Sequence, residues 1–237
     1  MYLAQGELLT RAPMFQLHDN LWTASRPLRF LGAEVGTRMT VIRLRDRTLF
    51  LHSPVMLDGP TRTELDALGP VGFVIAPNRF HHLFFAEYIR AYPRARFFCA
   101  PGLDSKRRDL RFDEILDDTP PAEWNGQIDQ LVFRAFPPLN EVVFFHRESR
   151  SLVVTDLLFN VKTSGSAYTR FLMRLDGGYG RVAVARSFRW LIKMRRAQAR
   201  ATVEKMLEWD FDRLIMTHGE VLNGGAKDAV RAAWDFL

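Results

Sequence analysis

Three short polar exits from apolar runs carry the residue types that could do chemistry. His81 and His82 follow the run VGFVIA (71–76) after a four-residue loop, Pro77-Asn78-Arg79-Phe80. Asp156 follows SLVVT (151–155) directly, and His218 with Gly219 follows RLIMT (213–217) directly. Short apolar runs of this kind read as buried strands. In layered α/β proteins ligands collect outside the carboxyl ends of strands, because loops converge there and backbone amides are free. A His/His/Asp/His set at such exits offers imidazole nitrogen and carboxylate oxygen, donors suited to zinc and also to iron or manganese. Each residue has a structural reading beside the functional one. A loop histidine can face solvent or bond a carbonyl, Asp156 can cap the chain leaving its strand, and His218 can be a turn residue. The repeated placement at strand ends favours the joint reading. His18, His52 and His146 lack it and read as structural, with His52 alone able to approach from the neighbouring LFLH strand end.

The elements that must position these residues are legible as alternating strands and helices. Residues 39–45 (MTVIRLR) and 48–52 (TLFLH) read as strands around an Asp46-Arg47 turn, the first with period-2 alternation. A helix is expected from Thr61 to Leu68, with Thr61 as N-cap and Glu64 completing a capping box. Residues 82–91 read as a second helix, ended before Pro93, and 95–100 (ARFFCA) as a strand. A second block holds strands at 131–136, 142–146 and 151–155, a long helix over 187–209, a strand at 213–217, and a closing helix capped by Asn223. The segment 117–126, with Pro120-Pro121, is the expected join between two β-rich halves. Sheets packed on each other with helices outside are the architecture this order implies. No Ser/His/Asp arrangement, Cys pair or Gly-rich phosphate loop accompanies it. Gly177-Gly178-Tyr179-Gly180 reads as a flexible break between helices.

The 237 residues are 47% hydrophobic and 25% charged, which excludes a disordered or collagen-like chain. Cys99 is the only cysteine, so no intramolecular disulfide can form. No apolar stretch reaches the roughly 18 residues of a membrane span, and MYLAQGELLTRAPMF lacks the order of a secretory signal. The expectation is a cytoplasmic protein. Charge is uneven: 160–200 holds ten Lys/Arg against one acid, Asp176, a local +9 in a chain of net +6. Aromatic and aliphatic residues are interleaved with it. Such an element either meets an anionic membrane surface, nucleic acid or acidic partner, or packs its apolar stripe on the body and leaves its cations in water.

The strand exits also carry a family resemblance. Strand then histidine loop, strand then Thr-Asp, and strand then His-Gly, in that order, resemble the metallo-β-lactamase superfamily. The resemblance runs along nearly the whole chain, in RMTVIRL, LHSP, APNRFHHLFF, YPRARFFCAPG, LVVTDLLFN and WDFDRLIMTHGE. The chain looks like a divergent, functionally uncharacterised branch. The resemblance implies an α/β (α+β) fold, a four-layer αββα sandwich forming one domain over 1–237 with a basic helical insertion at 160–200. That superfamily carries an H-x-H-x-D-H loop, a distal His, a bridging Asp and a final His. Laid over APNRFHH without gaps, the loop puts Pro77 and Arg79 at the first two His positions, His81 at the Asp and His82 at the last His. The distal position falls near 137–140, where no His stands.

The lost positions are those of the first metal; those of the second map to His81, His82, Asp156 and His218. The resemblance thus implies one divalent metal, zinc foremost with iron or manganese as options, and a mononuclear, metal-dependent hydrolase of unknown small-molecule substrate. In that reading Asp156 is ligand and candidate base. Arg79 replaces part of the missing positive charge and grips an anionic group, and Asn78, Asn140 or Glu141 orients water or substrate at the mouth. The alternative is a non-catalytic, metal-free binding or interaction module on the same fold, with Arg79 paired to Asp156 or Glu141 and the basic segment docked on an anionic partner. A further use of that segment is to wall the cleft, with Tyr168, Arg170 and Arg174 nearest its mouth.

Overall fold

The computed structural model describes residues 12–162 and 166–237. The N-terminal reading made on residues 1–15 lies outside the described residues as far as residue 11, as do 163–165 of the basic segment. The chain begins with β1 (Phe15–His18), β2 (Leu21–Arg26), a small hairpin of β3 (Arg29–Phe30) and β4 (Ala33–Glu34), β5 (Thr37–Arg43) and β6 (Leu49–His52). Then come α1 (Gly59–Leu68), β7 (Val71–Ala76), α2 (Phe85–Ala91), β8 (Arg96–Cys99), α3 (Leu103–Lys106) and β9 (Glu114–Ile115). The rest of the chain forms β10 (Ile128–Phe133), β11 (Glu141–His146), β12 (Ser151–Val154), α4 (Ala167–Leu175), α5 (Arg186–Met194) and α6 (Arg196–Glu208). It closes with β13 (Arg213–Met216), β14 (Leu222–Asn223) and α7 (Ala226–Ala233).

Two sheets result. The first has the order β1-β2-β5-β6-β7-β8-β9, antiparallel up to β6 and parallel from β6 to β9. The second has the order β10-β11-β12-β13-β14, in which β12 and β13 are parallel. Side-chain alternation divides each strand between two cores. Phe73 and Ile75 of β7, Val153 of β12 and Ile215 of β13 meet between the sheets, around Trp124. Val74 and Ala76 of β7 point the other way and pack with Leu65 of α1 and Phe85 and Tyr88 of α2. Leu152, Val154, Leu214 and Met216 likewise pack under Ile192 of α5, Val203 of α6 and Val230 of α7. The layers are therefore helix, sheet, sheet, helix: an αββα sandwich. Trp124 seats the join, its ring edge-on to Phe98 and Phe50 at 4.8 and 5.1 Å, its Nε1 donating to Gln130 at 3.1 Å. No helix among the described residues is long and apolar enough to cross a membrane.

β5 lies two residues and β10 three residues earlier than the sequence reading places them, α2 starts at Phe85 and not at His82, and three further differences have a visible cause. α1 starts two residues early because the Asp58 carboxylate caps it, accepting from the Thr61 amide at 2.7 Å. Thr61 turns its hydroxyl to Arg26, and Glu64 accepts from the Met14 amide, so the expected capping box does not form. The long helix at 187–209 is interrupted at Arg195, whose φ of −120° and ψ of 38° leave the helical region. The apolar spacing runs on across the break, which hides it from pattern reading. The closing helix starts after Gly225 at φ 66°, while Asn223 lies in β14 and accepts from Arg213.

Candidate metal centre

Three side chains from three strand exits converge on one another. β7 leads into a loop whose turn is fixed by Asn78: its Oδ1 accepts from the amides of Phe80 at 2.8 Å and His81 at 2.9 Å. Such an Asx turn is a local reason for the chain to fold back here. The other end of the same amide crosses to the second sheet. Its Nδ2 donates to Asp156 Oδ2 at 2.7 Å and to Thr155 Oγ1 at 2.8 Å. Asp156 leaves β12 on a loop held by Glu141, whose carboxylate accepts from the amides of Thr155, Asp156 and Leu157 at 2.6, 2.7 and 3.1 Å. His218 leaves β13, the parallel neighbour of β12, so register alone brings it beside Asp156.

The carboxylate sits between the two imidazoles. His81 Nε2 is 3.2 Å from Asp156 Oδ2, and His218 Nε2 is 3.1 Å from Asp156 Oδ1. One ligand atom from each of the three lies within 4.8 Å of the others. The far nitrogens are engaged: His81 Nδ1 is 2.8 Å from Ser53 Oγ, and His218 Nδ1 is 2.8 Å from the Gly36 carbonyl. A carbonyl only accepts, so His218 Nδ1 carries a hydrogen. Phe159 stacks on the His218 ring at 5.8 Å between centroids. Burial works to raise the Asp156 pKa, but His81 and His218 outweigh it and hold the carboxyl well below the usual range. Burial likewise works to lower His218, and the hydrogen bond to Asp156 raises it instead. Glu141 is pushed up to about 7 by burial and then by the charge of Asp156.

The loop behind His218 is fixed from outside. Arg38 of β5 donates to the carbonyls of Met216 and of Gly219, the latter at 2.7 Å. Gly219 has φ 95°, and a Cβ there would lie 2.2 Å from the Asn160 carbonyl oxygen. This close approach requires glycine.

Several expectations need correction. His82 does not join the group: its Nδ1 lies 2.7 Å from Arg107 Nη1, and burial together with Arg107 and Lys106 lowers its pKa to about 4. Four expected donors therefore reduce to three, because neighbouring loop residues point in different directions. Arg79 pairs with neither Asp156 nor Glu141, whose oxygens have the partners given above. It donates to the Pro137 carbonyl at 3.2 Å and flanks Gly102. Asn78 and Glu141 are wholly buried and spend their polar atoms inside the chain, so they position the loops and do not reach a mouth. Asn140, at φ 47°, donates to the Pro101 carbonyl at 3.1 Å. His52 is buried against Phe144 and lowered to about 3, mainly by that burial; the next residue, Ser53, makes the contact to the site. Tyr168 and Arg174 lie on α4, the first donating to the Leu31 carbonyl, the second over the Tyr179 ring. Ser53, Gly36 and Phe159 escaped sequence reading. Only Ser53, at the exit of LFLH, stands at a strand end of the kind that singled out the others.

Comparison with known proteins agrees with this architecture. The DIM-1 metallo-β-lactamase aligns at a TM-score of 0.65 and 11% identity over 95% of this chain and 98% of its own. A metallo-β-lactamase from Pontibacter korlensis gives 0.63 and 10%, over 94% and 99%. A rubredoxin oxygen:oxidoreductase from Desulfovibrio gigas gives 0.68 and 10%, over 94% of this chain and 61% of that one. At such identities the likeness is one of fold. No curated protein sequence matches the chain. The family model described as a domain of unknown function, DUF4336, matches residues 18–175. The chain thus belongs to the DUF4336 family, built on the metallo-β-lactamase fold.

Proposed function

We propose that His81, Asp156 and His218 hold one divalent cation, zinc foremost with iron or manganese also suited, and that the protein is a metal-dependent hydrolase acting on an anionic small molecule. The observation that carries this is the convergence of three donor atoms within 4.8 Å, two of them on imidazoles whose other nitrogens are engaged by Ser53 and Gly36. Fixing the far nitrogen of a ligating histidine orients the ring and tunes its basicity. Two histidines and one carboxylate leave further coordination positions open. A cation so held supplies Lewis acidity toward a carbonyl or phosphoryl oxygen and lowers the pKa of water.

The chain's own residues supply the remainder. Asn78 and Glu141 fix the two ligand loops relative to each other, and Phe159 shields His218 on one side. The anion is received by Arg79 and Lys106. Neither meets a carboxylate among the described residues: Arg79 donates to the Pro137 carbonyl, and Lys106 donates to the Arg79 carbonyl at 2.6 Å. Their like charges lie close enough that Arg79, after burial, lowers the Lys106 pKa. An anionic substrate group relieves this repulsion.

The alternative, a metal-free binding module, draws on the same geometry, since the Nε2 atoms of His218 and His81 meet the two Asp156 oxygens unaided. Metal analysis of protein purified without added metal separates the two. The expectation is near-unit stoichiometry, lost in Asp156→Asn and kept in His82→Gln. Stoichiometry near zero that zinc, iron and manganese all fail to restore would leave the metal-free module. With metal retained, Arg79→Met is expected to weaken substrate binding and leave metal content unchanged.

A further inference from the structure

α4 half-buries Leu172 and Met173 and carries a second apolar stripe on its exposed side. Tyr168, Phe171 and Leu175 recur at helical spacing on one face, and they are 51%, 62% and 62% exposed. Its buried member is polar: the Thr169 hydroxyl accepts from the Glu34 amide at 2.8 Å. An apolar helical stripe ordinarily faces a core. Beside it the β3–β4 hairpin lifts Phe30 and Leu31 into solvent, tied to α4 by the bond from Tyr168 to the Leu31 carbonyl. α5 is clipped to the end of α4 by Asp176, which accepts from the Ser187 amide at 2.8 Å. It buries Ile192 and exposes Trp190, Leu191 and Met194, of which Met194 stands at helical spacing from the other two.

The charge around this face is mostly positive, and Glu34 of the hairpin is paired with Arg29 at 3.0 Å. Arg174, Arg181, Arg186, Lys193, Arg195 and Arg196 are all exposed. Lys193, Arg195 and Arg196, at the turn between α5 and α6, have no carboxylate partner among the described residues. The single acid of the segment, Asp176, is held by Ser187 through both its amide and its hydroxyl.

We propose that this face docks on an anionic lipid membrane. The side chains of Leu31, Phe171, Leu175, Trp190 and Met194 enter the headgroup region, and the surrounding cations meet lipid phosphates. Exposed aromatic and aliphatic residues ringed by Lys and Arg are the two attractive contributions that hold an interfacial helix on such a surface. A nucleic acid would engage the cations but give Leu31, Leu175 and Met194 nothing apolar to enter. A second copy of the chain would bring two segments of +9 face to face.

Co-sedimentation of the full chain with phosphatidylcholine vesicles, with and without phosphatidylserine, tests this. Binding is expected only with phosphatidylserine and should weaken with salt. Lys193→Gln, Arg195→Gln and Arg196→Gln together should lower partitioning by on the order of a hundredfold, about fivefold per cation. Trp190 fluorescence should be quenched by brominated lipid, and that quenching should vanish in Trp190→Leu. Asp156→Asn should bind vesicles like the parent, so the surface is tested apart from the metal centre. Equal binding to neutral vesicles, tighter binding to duplex DNA than to vesicles, self-association abolished by the same variants, or no binding at low salt would each overturn the proposal. The substituted side chains are exposed, so unchanged thermal melting verifies that the variants are folded.

Discussion

Replacing Asn78 by leucine should separate the two ligand loops. The volumes are similar, but the leucine makes none of the four short hydrogen bonds of the amide: two accepted from Phe80 and His81, two donated to Asp156 and Thr155. The bond to the Asp156 carboxylate is charge-assisted and buried, and its loss costs about 2 kcal/mol. The Phe80 and His81 amides belong to a partly accessible loop, so losing their acceptor costs about 1 kcal/mol each. Losing the donor to the buried Thr155 hydroxyl adds about 1 kcal/mol, and burying the apolar leucine offsets about as much, leaving a net loss of about 4 kcal/mol. Urea unfolding of chelator-treated protein measures that loss directly. With metal present, affinity should also fall by about ten- to a hundredfold, the usual effect of removing a group that orients a ligand. Asn78→Asp is the informative companion. It keeps an acceptor for the two amides but puts a second carboxylate against Asp156, where the pair cannot both ionise without strong repulsion. It should therefore damage metal binding despite preserving the turn. A leucine variant within about 0.5 kcal/mol of the parent, the range of an ordinary surface change, would refute the assigned role.

Gly219→Ala should destabilise by about 2–4 kcal/mol, since its Cβ meets the Asn160 carbonyl and its φ is positive. Gly225→Ala, with positive φ but open space, should cost only about 1 kcal/mol in the same thermal melts. The sheet also contains a pH-sensitive group away from the site. His146 is lowered to about 4, chiefly by burial. The unfolded chain therefore binds the extra proton between about pH 6.5 and pH 4, and stability falls by a few kcal/mol as pH drops through that window. His146→Asn should shrink the difference between urea midpoints at pH 7.5 and pH 5, and an unchanged difference would exclude the effect. Cys99 is buried and pushed up to about 12 by that burial. It should resist iodoacetamide at pH 8 until denaturant is added, a result mass spectrometry reads directly.

Much of the architecture was visible in the apolar runs. VGFVIA, SLVVT and RLIMT are short and rich in branched residues, bounded by prolines in the first case and by charged or polar residues in the others, and mostly buried on both faces, so near-continuous hydrophobicity is what their positions demand. The placement of His81, Asp156 and His218 at the ends of those runs was legible for the same reason. What decided between His81 and His82 was not. The two are adjacent, and the choice rests on Arg107, a contact from 25 residues further on. Ser53 and Gly36 were equally silent, since a hydroxyl or a carbonyl acquires a role only once a ring is brought against it. The roles of Asn78 and Glu141 reversed on folding. Their types fit a substrate contact, yet complete burial makes each a brace between loops. On α1, Asp58 lies one turn before Thr61 and takes the cap, which local pattern alone leaves open.

The donors come from opposite sides of the interior seam: His81 from the first sheet, Asp156 and His218 from the second. An ion bound there acts as a rivet through the sandwich, and its binding free energy adds to whatever keeps the two halves from parting. Occupancy should then be readable without any substrate, as slower hydrogen exchange in β7 and β13 together.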